Sequence, residues 1–595
     1  MLSKMANKES LMSTKAGEDA QRYLNGVWDW LGDVKSSFFE KTGGIAITPQ
    51  KGVTYHYQAS RTSNMCPEEP GPIILVQQFY IPGDSRRSEE IRRCLAYNVS
   101  NKAFDKIVLL NERFYTEKEL GVSASKIEQI VVGKRLNYAM AMEFSNKLPQ
   151  DSYVVLSNAD IFFSGSINRV RTMGMKTYRK VLTQLRHEYD GMSSLKSCKL
   201  FGPRPDSQDA WIWNSKWKYD DRALRRMNIE LGQPGCDNKI IYLFSIIGFD
   251  CYNEPERVKC YHYHPSQKRS YSPSSDRVGG PYYALFPSLS GRPEPGQTHT
   301  FNIACENDCL RNYVSGALEE GKPFVIPRIA GIENEVATFG AMLRQSGKVS
   351  PDALENAKRS LPVMKNNAGI SLDSVDSICA YAASYLEPFH KCERYFWWEP
   401  WGDVVKWIPQ SFEFVTLNFD QPRIDAMALD VFHSIPRDPW TLALKGKRIL
   451  IISAFVESIK SKIAIRKEIY GVDLFPDCEF VFLKPPQTHG QNQAREFTVE
   501  LKEFVGRIEA IKDSFDIALC SCGGYGNPVV GEIYKMGKSA IYVGGVLQMY
   551  FGIYGQRWLR ERSDIMGMYL NKHWSRPREE EKPKGHGNVE GNCYW

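Results

Sequence analysis

Four short stretches carry side chains that could act together on a charged substrate. In VVLSNADIFF, Asn158 and Asp160 stand two residues apart where a hydrophobic run ends, so both side chains can point to one side of an extended chain. SQDAWIW supplies Asp209, and LGQPGCDNK supplies Asp237 in a Gly-rich turn that opens onto IIYLFSIIGF. CYHYHP supplies His262 and His264 at alternate positions. Hard divalent cations such as Mg²⁺ and Mn²⁺ take a carboxylate together with phosphate oxygens and waters, and imidazole can join for Mn²⁺. Asp160 with His262 or His264 is thus a candidate metal set on a pyrophosphate, and Asp237 or Asp209 a candidate base for an acceptor hydroxyl. Each has a plainer reading: Asp160 closing a turn, Asp237 capping its helix, and the two His serving structure alone.

A second set lies toward the C-terminus. In FDIALCSCGGYGNPVVGEIYK, Gly523, Gly524 and Gly526 follow a strand, and Asn527 and Pro528 suit the cap and first turn of a helix. A helix N-terminus after a Gly-rich loop can hold a phosphate. The spacing is not that of the dinucleotide fingerprint, and a tight turn that needs glycine only for its shape is the competing reading. Arg328 can pair a phosphate bidentately, and Gln548 and Arg557 are candidate phosphate or sugar contacts.

Alternating elements must position these groups. A strand opens at 73 (IILVQQFYI), and SEEIRRCLAYNVSN has helical spacing with Ser88 as cap. KIVLLNE and IEQIVV read as strands, 137–147 as a helix and 153–157 as the strand that ends at Asn158. Strands alternating with helices predict an α/β fold with a parallel sheet. The Ser/Pro/Gly-rich stretch 272–300 reads as a linker. Beyond it FVIPRIAG, KRILIISAF, CEFVFL, FDIALCSC and SAIYVGG predict strands of a second α/β domain, with 351–394 helical. The organisation is an arm over 1–70 with a helix near 18–40, a domain over 71–271, the linker, and a domain over 301–595.

Bulk composition narrows the function. At 595 residues, 42% hydrophobic and 24% charged, the chain reads as a soluble multidomain protein. The net charge of +7 comes from well-mixed residues, which argues against nucleic acid and suits an anionic substrate. The 14 Cys lack zinc-site spacing and read as reduced thiols of a cytosolic protein. The polar N-terminus has no signal-peptide pattern, and KIIYLFSIIGF is too short to span a membrane.

LSNADIFF, SQDAWIW, PGCDNKIIY and YHYHPSQKRSY together resemble GT-A-class nucleotide-sugar glycosyltransferase domains of large DNA viruses (chlorovirus-type) and bacteria, over about 70–270. That resemblance implies Asp160 as the metal or donor aspartate, Asn158 beside it where relatives carry Asp, Asp237 near the acceptor, and His264 or His262 as a late ligand. PFVIPRIAGIENEVA, NNAGI, GGYGNPVVGEIYKMGKSAIYVGGVLQMYFGIYGQRW and the ending HWSRPREEEKPKGHGNVEGNCYW resemble GT-D-like glycosyltransferases over most of 320–595. An Asp-x-Glu after the first strand of that group falls here on Gly331-Ile332-Glu333, leaving Glu333 or Glu335 to act. The resemblance implies two Rossmann-like domains, GT-A-like then GT-D-like. The implied enzyme is a bifunctional, Mn²⁺- or Mg²⁺-using transferase that moves a sugar from a nucleotide diphosphate sugar to a glycan or glycoprotein hydroxyl, in a host cytoplasm if viral. The competing reading makes one domain a non-catalytic nucleotide- or glycan-binding module.

Overall fold

The computed structural model describes residues 55–59, 66–202, 204–266, 277–280, 282–288, 303–346, 359–397, 418–431, 434–435, 438–589 and 593–595. The helix expected near 18–40 lies outside the described residues. Two compact units are present, one within Asp33–Ala304 and one that takes in Cys305–Trp595. Both are Rossmann-like α/β structures.

In the first unit the strands are β1 (Tyr55–Ala59), β2 (Ile73–Gln77), β3 (Lys106–Asn111), β4 (Ile127–Val131), β5 (Tyr153–Ser157), β6 (Ile161–Phe163), β7 (Lys180–Gln184), β8 (His187–Glu188), β9 (Lys199–Leu200), β10 (Ala210–Asn214), β11 (Asp250–Tyr252), β12 (Cys260–His262) and β13 (Tyr282–Phe286). Seven of them form one sheet in the order β11-β7-β10-β5-β2-β3-β4. β2 and β5 are buried along their whole length, as unbroken Val/Ile/Leu runs require when helices cover both faces of a sheet. The chain leaves β2 for β3 and β4 and returns to β5 on the other side of β2. The strand order thus reverses between β2 and β5, and the carboxyl ends flanking such a reversal are where open α/β sheets bind ligands.

The expected parallel sheet is mixed. β10, the strand of SQDAWIW, runs antiparallel to both β5 and β7, with Ala210 opposite Ser157. Its start therefore meets the end of β5, and Asp209 arrives beside Asn158. Trp211 and Trp213 on β10 are fully buried, and the Tyr138 ring meets Trp211 edge-on at 4.9 Å. A second sheet, β6-β12-β8-β9, stands over the same end.

Helix α1 (Ser85–Ser100) begins one turn before the sequence suggests, because Asp84 rather than Ser88 caps it by accepting from the Arg87 amide. Helix α2 spans Tyr138–Lys147 and α3 spans Cys236–Ile246. Within the stretch read as a linker, β13 pairs in parallel with β1.

The second unit holds the parallel sheet β14-β20-β19-β17-β18, built from β14 (Val325–Ile326), β17 (Arg448–Ser453), β18 (Glu479–Leu483), β19 (Ile517–Ser521) and β20 (Ser539–Tyr542). The short parallel pair β15 (Tyr395–Trp397) and β16 (Arg423–Asp425) adjoins it through a bridge between Phe396 and Arg328, just after β14. Helices α4 (Gly331–Ser346), α5 (Val375–Lys391) and α6 (Gly526–Lys535) pack around one apolar core. The helical stretch expected over 351–394 is broken. Gly369, at φ 75°, ends one helical turn, and Ser374 caps the next helix by accepting from Ser377 N–H.

Candidate functional site

At the carboxyl end of β5 the structure assembles a chain of alternating charges. Asp209 Oδ2 lies 2.8 Å from Arg186, whose Nε lies 2.7 Å from Glu188. The other Glu188 oxygen lies 3.1 Å from His262 Nδ1, and His262 Nε2 is 3.3 Å from Asp160 Oδ2. Arg87 closes on the same Asp160 oxygen at 2.7 Å and on Glu90 at 3.0 Å. His264 Nδ1 lies 2.7 Å from both Glu90 and the Arg87 guanidinium. Asn158 donates from Nδ2 to Asp209 at 3.1 Å, and Gln77 at the end of β2 holds the turn by donating to the Asn158 and Ile161 carbonyls.

Local structure explains this convergence. Asp160 sits between β5 and β6, and β12 pairs antiparallel with β6, so His262 lies opposite Ile161. β8 lies on the far side of β12, with Glu188 opposite His262. Arg87 and Glu90 lie three apart on the first turns of α1, one above the other.

Electrostatics then separate the carboxyl groups. Burial works against ionisation of Asp160, but the charges of His262 and Arg87 overcome it and hold the group far below the usual carboxylate range. Burial likewise opposes a charge on His262, yet Asp160 and Glu188 raise it to about 9, so it is an imidazolium at neutral pH. Asp237 behaves oppositely: burial, followed by the negative charge of Asp209, lifts it to about 7. Its carboxyl accepts weakly from Gln208 N–H at 3.4 Å and contacts the Cys236 thiol at 3.1 Å. Asp237 is not the helix cap. Gly235, at φ 79°, takes that position and leaves Asp237 in the first turn of α3.

The expected metal set does not fit this geometry. Asp160, His262 and His264 are already engaged with Arg87, Glu90 and Glu188. Among the described residues no group of three or more His, Cys, Asp or Glu is placed to hold a metal ion. Sequence reasoning brought Asn158, Asp160, Asp209, Asp237, His262 and His264 to this corner but missed Gln77, Arg87, Glu90, Arg186 and Glu188. SRRSEEIRR looks like a solvated helix face, and only the fold shows that Arg87 and Glu90 turn inward.

In the second unit the Gly loop faces protein. A side-chain carbon on Gly523 would fall 2.5 Å from His489, on Gly524 2.4 Å from Ile370, and on Gly526 2.2 Å from the Tyr542 ring. These glycines make room for packing rather than for a phosphate, because His489, Ile370 and Tyr542 fill the space a ligand would need. Helix α6 starts at Gly526, so Asn527 lies inside its first turn. The fully buried Asn527 side chain accepts from Arg328 N–H at 3.0 Å and donates to the Arg328 carbonyl at 2.9 Å. It positions Arg328 and touches no open site. Gln548 is also buried and donates to the Ile553 and Tyr594 carbonyls, so it fixes the C-terminal segment.

Other candidates in this unit do converge. The Arg328 guanidinium covers the Tyr542 ring at 4.7 Å and donates to the Val543 carbonyl. It passes over Gly544, where an added Cβ would fall 2.3 Å from it. Glu333, in the first turn of α4, adds its charge to the environment of Tyr542. Asp430 was not anticipated. Burial raises it to about 6 against the opposing charges of Arg562, Arg328 and Arg557, and Arg562 lies 3.8 Å away. Arg557 reaches the Tyr594 hydroxyl at 3.4 Å.

No family model and no curated protein matches the sequence. Among solved structures, the chain is similar to GalNAc-T7 with UDP, GalNAc and Mn²⁺ at 12% identity and TM-score 0.23, covering 41% of this chain and 48% of that one, about half its length. It is similar to the mannosyltransferase PcManGT from Pyrobaculum calidifontis in complex with GDP-Man and Mn²⁺ at 9% identity and TM-score 0.23, covering 60% and 89%. A new glycosyltransferase (DUF1792) from Streptococcus sanguinis is similar at 11% identity and TM-score 0.24, covering 46% and 94%. At these scores none of the three bears on function.

Proposed function

We propose that the chain is a glycosyltransferase that moves a sugar from a nucleotide diphosphate sugar to a hydroxyl of a glycan, with its chemistry in the first unit. The observation that supports this reading is the separation of carboxyl groups at one sheet end. Asp160 is ionised and clamped, while Asp237 is poised at about 7 beside Asp209. Titratable groups pushed apart by their surroundings mark acid–base assignments, and a base near neutral pH is suited to taking a hydroxyl proton.

In a single displacement the acceptor hydroxyl gives its proton to Asp237 as its oxygen bonds the anomeric carbon. The bond from that carbon to the diphosphate breaks, and its electron pair leaves with the diphosphate. Asn158 orients Asp209, whose charge keeps Asp237 basic. Asp160 offers a fixed acceptor to the donor's hydroxyls.

The second unit is assigned a nucleotide- or glycan-binding role without catalysis. The packed Gly loop and Gly331 in place of an acid favour this over a bifunctional enzyme. The test is turnover of a panel of nucleotide diphosphate sugars by the intact protein, Asp237→Asn and Arg328→Ala. Turnover should fall about 10²- to 10⁴-fold in Asp237→Asn and hold in Arg328→Ala. Unchanged turnover in Asp237→Asn would sink the assignment of the base.

A further inference from the structure

We propose that the donor site of the first unit works without a divalent cation, because the Arg87 guanidinium occupies the place a metal would take on Asp160. The inference rests on the transferase reading above. Its basis is the position of Arg87. The three residues that the sequence offers as metal ligands all border this one side chain: Asp160 and His264 touch it at 2.7 Å, and His262 shares the same Asp160 oxygen at 3.3 Å. Glu90, a second carboxylate on Arg87, holds the guanidinium at 3.0 Å and also accepts from Ser266 N–H at 2.6 Å. A cation entering here would have to displace one that is tethered through its own helix.

The tether starts from a fixed backbone. Arg87 lies in the first turn of α1, and its amide is fixed on the capping side chain of Asp84. A guanidinium remains charged throughout the accessible pH range and presents a planar fork that matches phosphate oxygens. Its side chain keeps 14% of its surface open to solvent. In one position Arg87 both satisfies Asp160 and presents positive charge to a leaving diphosphate. Asn158 fits the same arrangement: it donates to Asp209 at 3.1 Å and leaves Asp160 as the strand-end carboxylate on Arg87.

The test titrates Mn²⁺ into the intact protein and follows the free-ion electron paramagnetic resonance signal, with and without UDP or GDP. Calorimetric binding of UDP- and GDP-sugars is measured in EDTA and in Mn²⁺. Wild type should leave Mn²⁺ free at this site, and donor affinity should be the same under both conditions. Arg87→Gln, a neutral and shorter side chain that vacates the place beside Asp160, should lose donor affinity about tenfold in EDTA and take up one Mn²⁺ that a further Asp160→Asn change abolishes. Arg87→Lys should hold an intermediate affinity if Arg87→Gln fails to fold. An Asp160-dependent Mn²⁺ bound by wild type, or donor binding that EDTA abolishes, would overturn the inference while leaving the transferase reading standing. Absence of donor binding with and without Mn²⁺ would overturn both.

Discussion

Replacing Asp237 by Asn should make the protein more stable at alkaline pH while removing its activity. Folding carries this carboxyl from its ordinary 3.8 to about 7. The stability contributed by the protonated form is whole below about pH 3.8 and is lost as pH rises through about 7. Roughly three pH decades at about 1.4 kcal/mol each give a ceiling of about 4 kcal/mol. Water reaching a half-buried carboxyl reduces that to about 2 kcal/mol. Asn is neutral at every pH, keeps the shape, and still accepts from Gln208 N–H. At ~2–4 °C per kcal/mol for a domain of ~150–250 residues, Asp237→Asn should melt about 4–8 °C above wild type at pH 8. The two should melt together at pH 4. Calorimetric scans of the intact protein at both pH values measure this. A variant that melts below wild type at pH 8, or a difference that does not shrink at pH 4, would refute the argument that burial and Asp209 hold Asp237 protonated.

Three further outcomes follow from the packing. Arg186→Met leaves the buried Asp209 and the half-buried Glu188 without their shared cation, and denaturant titration should show a loss of about 3–5 kcal/mol. Gly526→Ala places a methyl group 2.2 Å from the Tyr542 ring, so it should destabilise by about 1–3 kcal/mol, whereas an open phosphate cradle would let Ala stabilise the helix by about 1 kcal/mol. Asn527→Ala removes both hydrogen bonds to the Arg328 backbone and should cost about 2 kcal/mol in the same titration.

Much of the frame was legible in the sequence because strands buried on both faces must be continuous apolar runs. IILVQ, KIVLLN, YVVLS, RILIIS and IALCS all form strands close to where their composition ends them. The polar triplet after β5 and the acidic turn before α3 were legible for the same reason, since a charged residue at the end of such a run needs a cause. The capping of α1 by Asp84 was less so, because Asp84 and Ser88 both suit a cap and only backbone geometry separates them.

The sequence by itself determined which residues stand at strand ends, because hydrophobic periodicity is a local property of the chain. Tertiary structure decided what those residues do. The antiparallel course of β10 brings Asp209 to Asn158, and the pairing of β12 with β6 and β8 sets His262 between Asp160 and Glu188. Whether Arg87 faces water or Asp160, and whether Gly526 faces a ligand or Tyr542, depends on contacts between residues 73 and 16 positions apart. Charge and shape act through space, and only the folded chain fixes the distances that decide them.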